Sequence, residues 1–138
     1  MMIDDAVGLK RVLTECSVLA VVGMKGPGEG PAWYVPRYMR EQGYVTLPVN
    51  PKYDQIDGVK SVASVLELSE RVDMVVVFRR PEFIDELATE ILQMSPLPRV
   101  VWMQLGIRNA AAAERLVAAG IDVVQDRCLY IDHPRLMG

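Results

Sequence analysis

The feature that most constrains this chain is a rhythm. Five short apolar runs rich in β-branched residues recur along it: residues 18–24 (VLAVVGM), 44–49 (YVTLPV), 72–78 (VDMVVVF), 99–105 (RVVWMQL) and 121–125 (IDVVQ). Runs that are apolar at nearly every position, rather than every second one, suit strands buried on both faces, as in a parallel sheet. Helical patterns fill the gaps between them. Pro31 opens a helix over 32–42 that stops at Gly43, with Pro36 placed in its first turn, where a missing N–H is harmless. A short helical segment is predicted at 64–69. A longer one, 81–94, begins with a proline and the acids Glu82 and Asp85. Asn109 is placed to cap a helix running to Ala119, with Gly120 beyond its end. A first helix, 4–15, precedes the first strand. The alternation predicts a doubly wound α/β domain, a three-layer sandwich around a parallel sheet of about five strands.

Composition narrows the function classes. The length of 138 residues suits one domain, 1–138, with 128–138 as a C-terminal extension. Apolar residues make up 51% and charged ones 24%, which excludes a disordered chain. A net charge of −3 argues against a broad nucleic-acid surface. No apolar run reaches the length of a membrane span. The first residues lack the cationic start and apolar block of a signal peptide, so a cytoplasmic location is expected. Cys16 and Cys128 are far apart and form no CxxC, and His133 is the only histidine, which leaves too few ligands for a zinc site.

In a doubly wound sheet, ligands bind beyond the carboxyl ends of the strands. The segments there are glycine-rich and cationic. After the first strand comes GMKGPGEGP, with Gly23, Met24 and Lys25 leading. After the second come Asn50, Pro51 and Lys52, after the third Phe78, Arg79 and Arg80. After the fourth come Gln104, Leu105, Gly106 and Ile107, and after the fifth Asp126, Arg127 and Cys128. Lys25, Lys52, Arg79, Arg80 and Arg127 thus gather at one rim of an acidic protein, which points to an anionic, phosphorylated ligand. Glycines allow close backbone approach, and a helix start offers free N–H groups, so the first loop reads as a phosphate cradle in preference to a plain tight turn. Its spacing, Gly-x-x-Gly-x-Gly-x-Gly, is not the dinucleotide fingerprint. No acid ends the second strand to hold ribose hydroxyls; Asn50-Pro51-Lys52 stands there instead. An ordinary NAD site is disfavoured.

Taken in order, Val22-Gly23, Val49-Asn50-Pro51-Lys52-Tyr53, Val77-Phe78-Arg79-Arg80-Pro81, Val101-Trp102-Met103-Gln104-Leu105-Gly106-Ile107 and Asp126-Arg127-Cys128 resemble the small bacterial CoA-binding proteins, themselves similar to the CoA-binding domain of succinyl-CoA synthetase α subunits. The resemblance covers about residues 5–136. It implies a Rossmann-like fold with coenzyme A laid across the strand ends. The phosphates would meet the backbone of residues 23–25 and the Asn50-Pro51-Lys52 turn. The adenosine would lie near 50–52 and 78–80, and the pantetheine arm would run toward 104–107. The chain departs from its relatives at 26–30. There Gly26-Pro27-Gly28-Glu29-Gly30 stands where relatives often carry serine or arginine, as in Ser-Pro-Lys-Pro-Asp-Arg-Pro, so backbone must replace side-chain donors.

No catalytic group is expected. The ligase relatives supply a phosphohistidine from a second domain, whereas His133 sits in the tail and reads as a packing residue. Cys128 follows Arg127, which would lower its pKa, and if it faced the pocket it would be able to pair with the CoA thiol; an inert thiol is the plainer reading. Cys16 reads as core. Asp126 is expected to pair with Arg127, and Trp33, Tyr34 and Trp102 are expected to pack rather than stack on a base. The expected function is binding of CoA or an acyl-CoA, a small-molecule ligand, by a stand-alone non-catalytic domain, with no nucleic-acid or membrane partner. A homodimer or a partner enzyme is compatible with this. The alternatives are another phosphorylated nucleotide such as NADP, or a subunit of an acyl-CoA or thiol–disulfide enzyme.

Overall fold

All five apolar runs are strands of one parallel sheet in the computed structural model, which describes residues 1–138. They are β1 (Val18–Val22), β2 (Val45–Val49), β5 (Met74–Val77), β6 (Val100–Met103) and β7 (Asp122–Val124), in the order β2-β1-β5-β6-β7. Helices α1 (Ala6–Glu15), α2 (Pro31–Glu41), α3 (Ile84–Ile91), α4 (Ala110–Ala118) and α5 (Leu129–Met137) cover both faces. Side chains alternate across each strand, so one run feeds two cores. Ala20 and Val22 of β1 pack with Leu87 and Ile91 of α3 and Leu116 of α4. Leu19 and Val21 face the other way, with Leu9 and Leu13 of α1, Val35 and Met39 of α2 and Leu129 of α5. Burial on both sides explains why the runs carry no polar alternation. No helix is long and apolar enough to cross a membrane.

The helix starts follow capping chemistry. The Asp5 carboxylate accepts from the Gly8 amide 2.8 Å away, and the Asn109 side chain accepts from Ala112 at 3.0 Å. Five features differ from the sequence expectations. Pro36 lies in the second turn of α2, not the first, because the helix begins at Pro31. Its missing N–H leaves the Ala32 carbonyl without its i+4 donor, and the Lys25 amide supplies one at 3.1 Å. The helix expected over 81–94 is a 3-10 turn, Pro81–Phe83, followed by α3, and that at 64–69 shortens to a 3-10 turn, Val65–Glu67. The crossover after β2 also contains a hairpin, β3 (Gln55–Ile56) with β4 (Val59–Lys60). Its turn is Asp57-Gly58, with φ of 50° and 81°, the conformation of a type I′ turn. Residues 129–137, expected as an extension, form α5, whose Leu129 joins the core shared with α1 and α2.

The amino rim of the sheet is tied by carboxylates. The Asp73 carboxylate, just before β5, accepts from the Ser17 and Val18 amides, both at 2.9 Å, and from the Ser17 hydroxyl at 3.1 Å. Burial would push this carboxyl up, but those hydrogen bonds and the Arg99 charge hold it below the ordinary Asp value. Asp122 at the start of β7 binds Arg11 at 3.2 Å and the Met1 ammonium at 3.0 Å, and is likewise held low against the opposing effect of burial.

Candidate functional site

The strand register levels the opposite rim. Val22 pairs with both Val49 and Val77, and Val77 with Met103. The first residues beyond these ends are therefore brought level: Gly23, Asn50, Phe78 and Gln104. The chain leaves β1 for β2 on one side and later returns to β5 on the other, so the switch in strand order falls between β1 and β5. Gly23 sits there. Its φ is +85°, and a Cβ would lie 2.4 Å from the Phe78 carbonyl oxygen, so no other residue fits without moving β1 or β5.

Two clefts open at this rim, and Arg79 lines both. The larger, about 590 Å³, falls in the size range of small-molecule sites. It brings together Lys25, Phe78, Arg79, Arg80 and the whole of Gln104, Leu105, Gly106 and Ile107. The smaller, about 200 Å³, holds Gly23, Asn50 and Pro51. Lys52 is exposed and lines neither, and Met24 is buried in the core at 2% exposure.

Several of these residues shape the site rather than face it. The buried Asn50 donates from Nδ2 to the Met24 carbonyl at 2.9 Å and accepts on Oδ1 from the Lys52 amide at 3.0 Å. It thereby staples the loop after β1 to the turn after β2. Buried Gln104 accepts on Oε1 from the Leu129 amide at 3.2 Å and so fixes the start of α5. The amides of Gly23 and Lys25 are engaged by the carbonyls of Val49 and Ala32, at 2.8 Å and 3.1 Å. The free donors lie further along: the amides of Gly28, Gly30 and Ala32 find no acceptor within the chain, at the positive end of the α2 dipole. The carboxylate of Glu29, in the same loop, accepts the Tyr53 hydroxyl, and Gly26 packs against the Tyr53 ring. Tyr53 thus steadies residues 26–29 of the loop.

The cations divide into free and committed. Lys25 and Arg79 have no carboxylate partner, and Arg80 has only the exposed Glu82 at 3.8 Å. Arg79 and Arg80 lie 4.5 Å and 5.7 Å from the centre of the Phe83 ring, which gives both guanidinium groups a platform. The sequence reading missed Phe83; the signal was an aromatic residue three positions after an Arg-Arg pair in a proline-started turn. Arg127 is not a rim donor. Asp132 binds it at 2.7 Å, and Asp4 at 3.3 Å. Nor does Asp126 pair with Arg127. It accepts from the Gly106 amide at 2.6 Å and the Arg108 side chain at 3.3 Å, first the amide and then the arginine holding its carboxyl low.

The reactive side chains are separated. Cys16 is buried, and burial followed by the Asp73 charge pushes its thiol up to about 12. Cys128 is half-buried and lines the larger cleft. His133 is enclosed on α5, with Nδ1 2.8 Å from the Tyr38 hydroxyl and its ring between Tyr38 and Tyr44, and burial holds its pKa down. Trp102 is core, its indole N–H on the Arg127 carbonyl at 2.8 Å. Trp33 donates to Asp57 at 3.1 Å, joining α2 to the hairpin. Tyr34 differs from the packing expectation: it is 43% exposed and lines the larger cleft.

With this geometry in hand, residues 17–134 match the family model described as a CoA binding domain. The chain belongs to the CoA-binding family. It is 34% identical over 125 residues to the uncharacterized protein YneT of Bacillus subtilis, covering 91% of each chain. Among solved structures, a Thermus thermophilus protein designated ID.343 is 42% identical with a TM-score of 0.90, over 96% of this chain and 99% of that one. A hypothetical protein of Pyrococcus horikoshii is 31% identical with a TM-score of 0.92, over 98% and 94%. These two solved structures share the fold over nearly the whole of this chain.

Proposed function

We propose that this protein binds coenzyme A or an acyl-CoA at the carboxyl rim, as a stand-alone, non-catalytic module. The observation that carries the reading is the pair of clefts joined at Arg79, in a chain of the CoA-binding family. An elongated ligand with a diphosphate and a further phosphate needs several donors in a row. Lys25, Arg79 and Arg80, with the free amides of Gly28, Gly30 and Ala32, offer them. The smaller cleft, beside Asn50 and Pro51, suits the adenosine, and the larger one, running to residues 104–107, suits the pantetheine arm. The non-catalytic reading rests on placement: His133 is packed among tyrosines, the Cys16 thiol is held protonated by burial, and Cys128 lines the larger cleft with no histidine beside it to act as a base.

A thermal-shift series tests this, because a ligand that binds only the native state raises Tm, and at equal concentration the shift grows with the logarithm of its affinity. CoA is expected to stabilise more than dephospho-CoA, and both more than ADP or NADP. NADP giving the largest shift would overturn the choice of ligand.

A further inference from the structure

We infer that the larger cleft continues beyond the pantetheine path into an apolar wall that takes the acyl chain of a medium-length acyl-CoA, so that the acylated form, not free CoA, is the preferred ligand. This rests on the CoA reading above and extends it. Four of the molecule's ten exposed large apolar side chains line this one cleft: Tyr34, Leu105, Tyr130 and Ile131, at 43%, 63%, 47% and 56% exposure. Single exposed apolar residues need no explanation, but a concentration in a concave site marks a binding surface.

The layout follows strand order. The free cations stand after β1 and β5, at the centre of the sheet. Leu105 follows β6, while Tyr130 and Ile131 belong to α5, which follows β7; Tyr34, on α2, lines the same cleft and packs against Tyr130. CoA has the same polarity, with phosphates at one end and the thiol at the other, and an acyl group extends the molecule past the thiol. A ligand anchored by phosphates at β1 and β5 and running along β6 therefore delivers its thioester substituent to the apolar wall. The wall is braced. The Tyr130 ring lies 5.4 Å from Tyr34, edge to face, and 5.0 Å from Tyr38, whose hydroxyl is fixed on His133. A preformed wall loses little freedom on binding.

The test is isothermal titration of the intact protein with CoA, acetyl-CoA, butyryl-CoA and octanoyl-CoA, with sedimentation velocity alongside. Affinity is expected to rise with chain length, with octanoyl-CoA at least about tenfold tighter than CoA, since even partial burial of a few methylenes gives that ratio. In Ile131→Asp, and separately in Tyr130→Ser, the octanoyl-to-CoA ratio is expected to fall toward one. Equal affinities across the series in the wild type would overturn the inference and leave the CoA reading standing. Failure of every member to bind would overturn the CoA reading itself. A dimer that Ile131→Asp dissociates, with no chain-length dependence, would assign the wall to a second copy instead.

Discussion

The two rims of the sheet are built to opposite rules. At the amino rim the carboxylates are satisfied: Asp73 accepts three hydrogen bonds from Ser17 and Val18, and Asp122 holds Arg11. At the carboxyl rim Lys25 and Arg79 stand without carboxylates, three amides of the loop into α2 lack acceptors, and four large apolar side chains face solvent. Polar groups bonded within the chain help fix a fold, whereas exposed, unpaired donors stay available to a ligand. The difference teaches where to look: one rim holds the sheet together, and the other, with its donors unpaired, is the one proposed here to bind the ligand.

Substitutions can break this contrast. The largest effect is expected at the point where architecture and site meet. Gly23→Val forces a Cβ against the Phe78 carbonyl at positive φ, and should lower stability by about 2–4 kcal/mol in urea unfolding and abolish CoA binding together. Arg79→Ala and Lys25→Ala should separate the two properties. Each is expected to weaken CoA binding about tenfold or more, and to flatten its dependence on salt, with unfolding midpoints nearly unchanged. Asp73→Asn should do the reverse. It is expected to lower stability by about 1–2 kcal/mol, after allowing for solvent screening of a half-exposed group, with CoA affinity intact. A loss of CoA affinity in Asp73→Asn, matched to that of Arg79→Ala, would erase the distinction between the rims.

Titration sharpens the comparison more gently. Asp73 and Asp122 have folded pKa values below the ordinary Asp value, so the unfolded chain binds their protons first as pH falls. Their stabilisation is complete above the unfolded value and disappears as pH drops through the folded ones. His133 behaves differently. Its folded pKa is also lowered, but the neutral form is the one that burial favours. Stability is therefore full above pH 6.5 and declines below it, as the unfolded state takes up the proton first. His133→Gln should remove that decline from a Tm-versus-pH curve while leaving the acid limb set by Asp73 and Asp122. The smallest effect is a labelling contrast: a thiol reagent should modify Cys128 in the native protein and Cys16 only on unfolding.

Most of the architecture was legible because burial on both faces writes itself into the strands as unbroken apolar runs. Residues 18–24 and 72–78 needed no other context. The hairpin at residues 55–60 was not read from the sequence, because its two-residue strands are too short to show a period and only Asp57-Gly58 marks its turn. In the site, strand-end position located the cations, and it did so without regard to their partners. Arg127 has the same credentials as Arg79 in sequence. Only the fold brings Asp132, five residues further on in α5, within 2.7 Å of it. Gln104 and Asn50 likewise read as ligand donors, while the structure commits their side chains to Leu129, Met24 and Lys52. The apolar wall was invisible, because Tyr130 and Ile131 come from the tail and meet Leu105 and Tyr34 only through packing of α5.

The most direct test of the division between the rims is amide chemical-shift mapping as CoA is titrated into the protein. The expected result is that signals from Gly28, Gly30, Ala32, Arg79, Arg80, Leu105 and Gly106 move, while those of Ser17, Val18, Asp73 and Asp122 stay in place. Shifts confined to the amino rim, or no shifts at high micromolar CoA, would contradict the assignment of this rim as a CoA site.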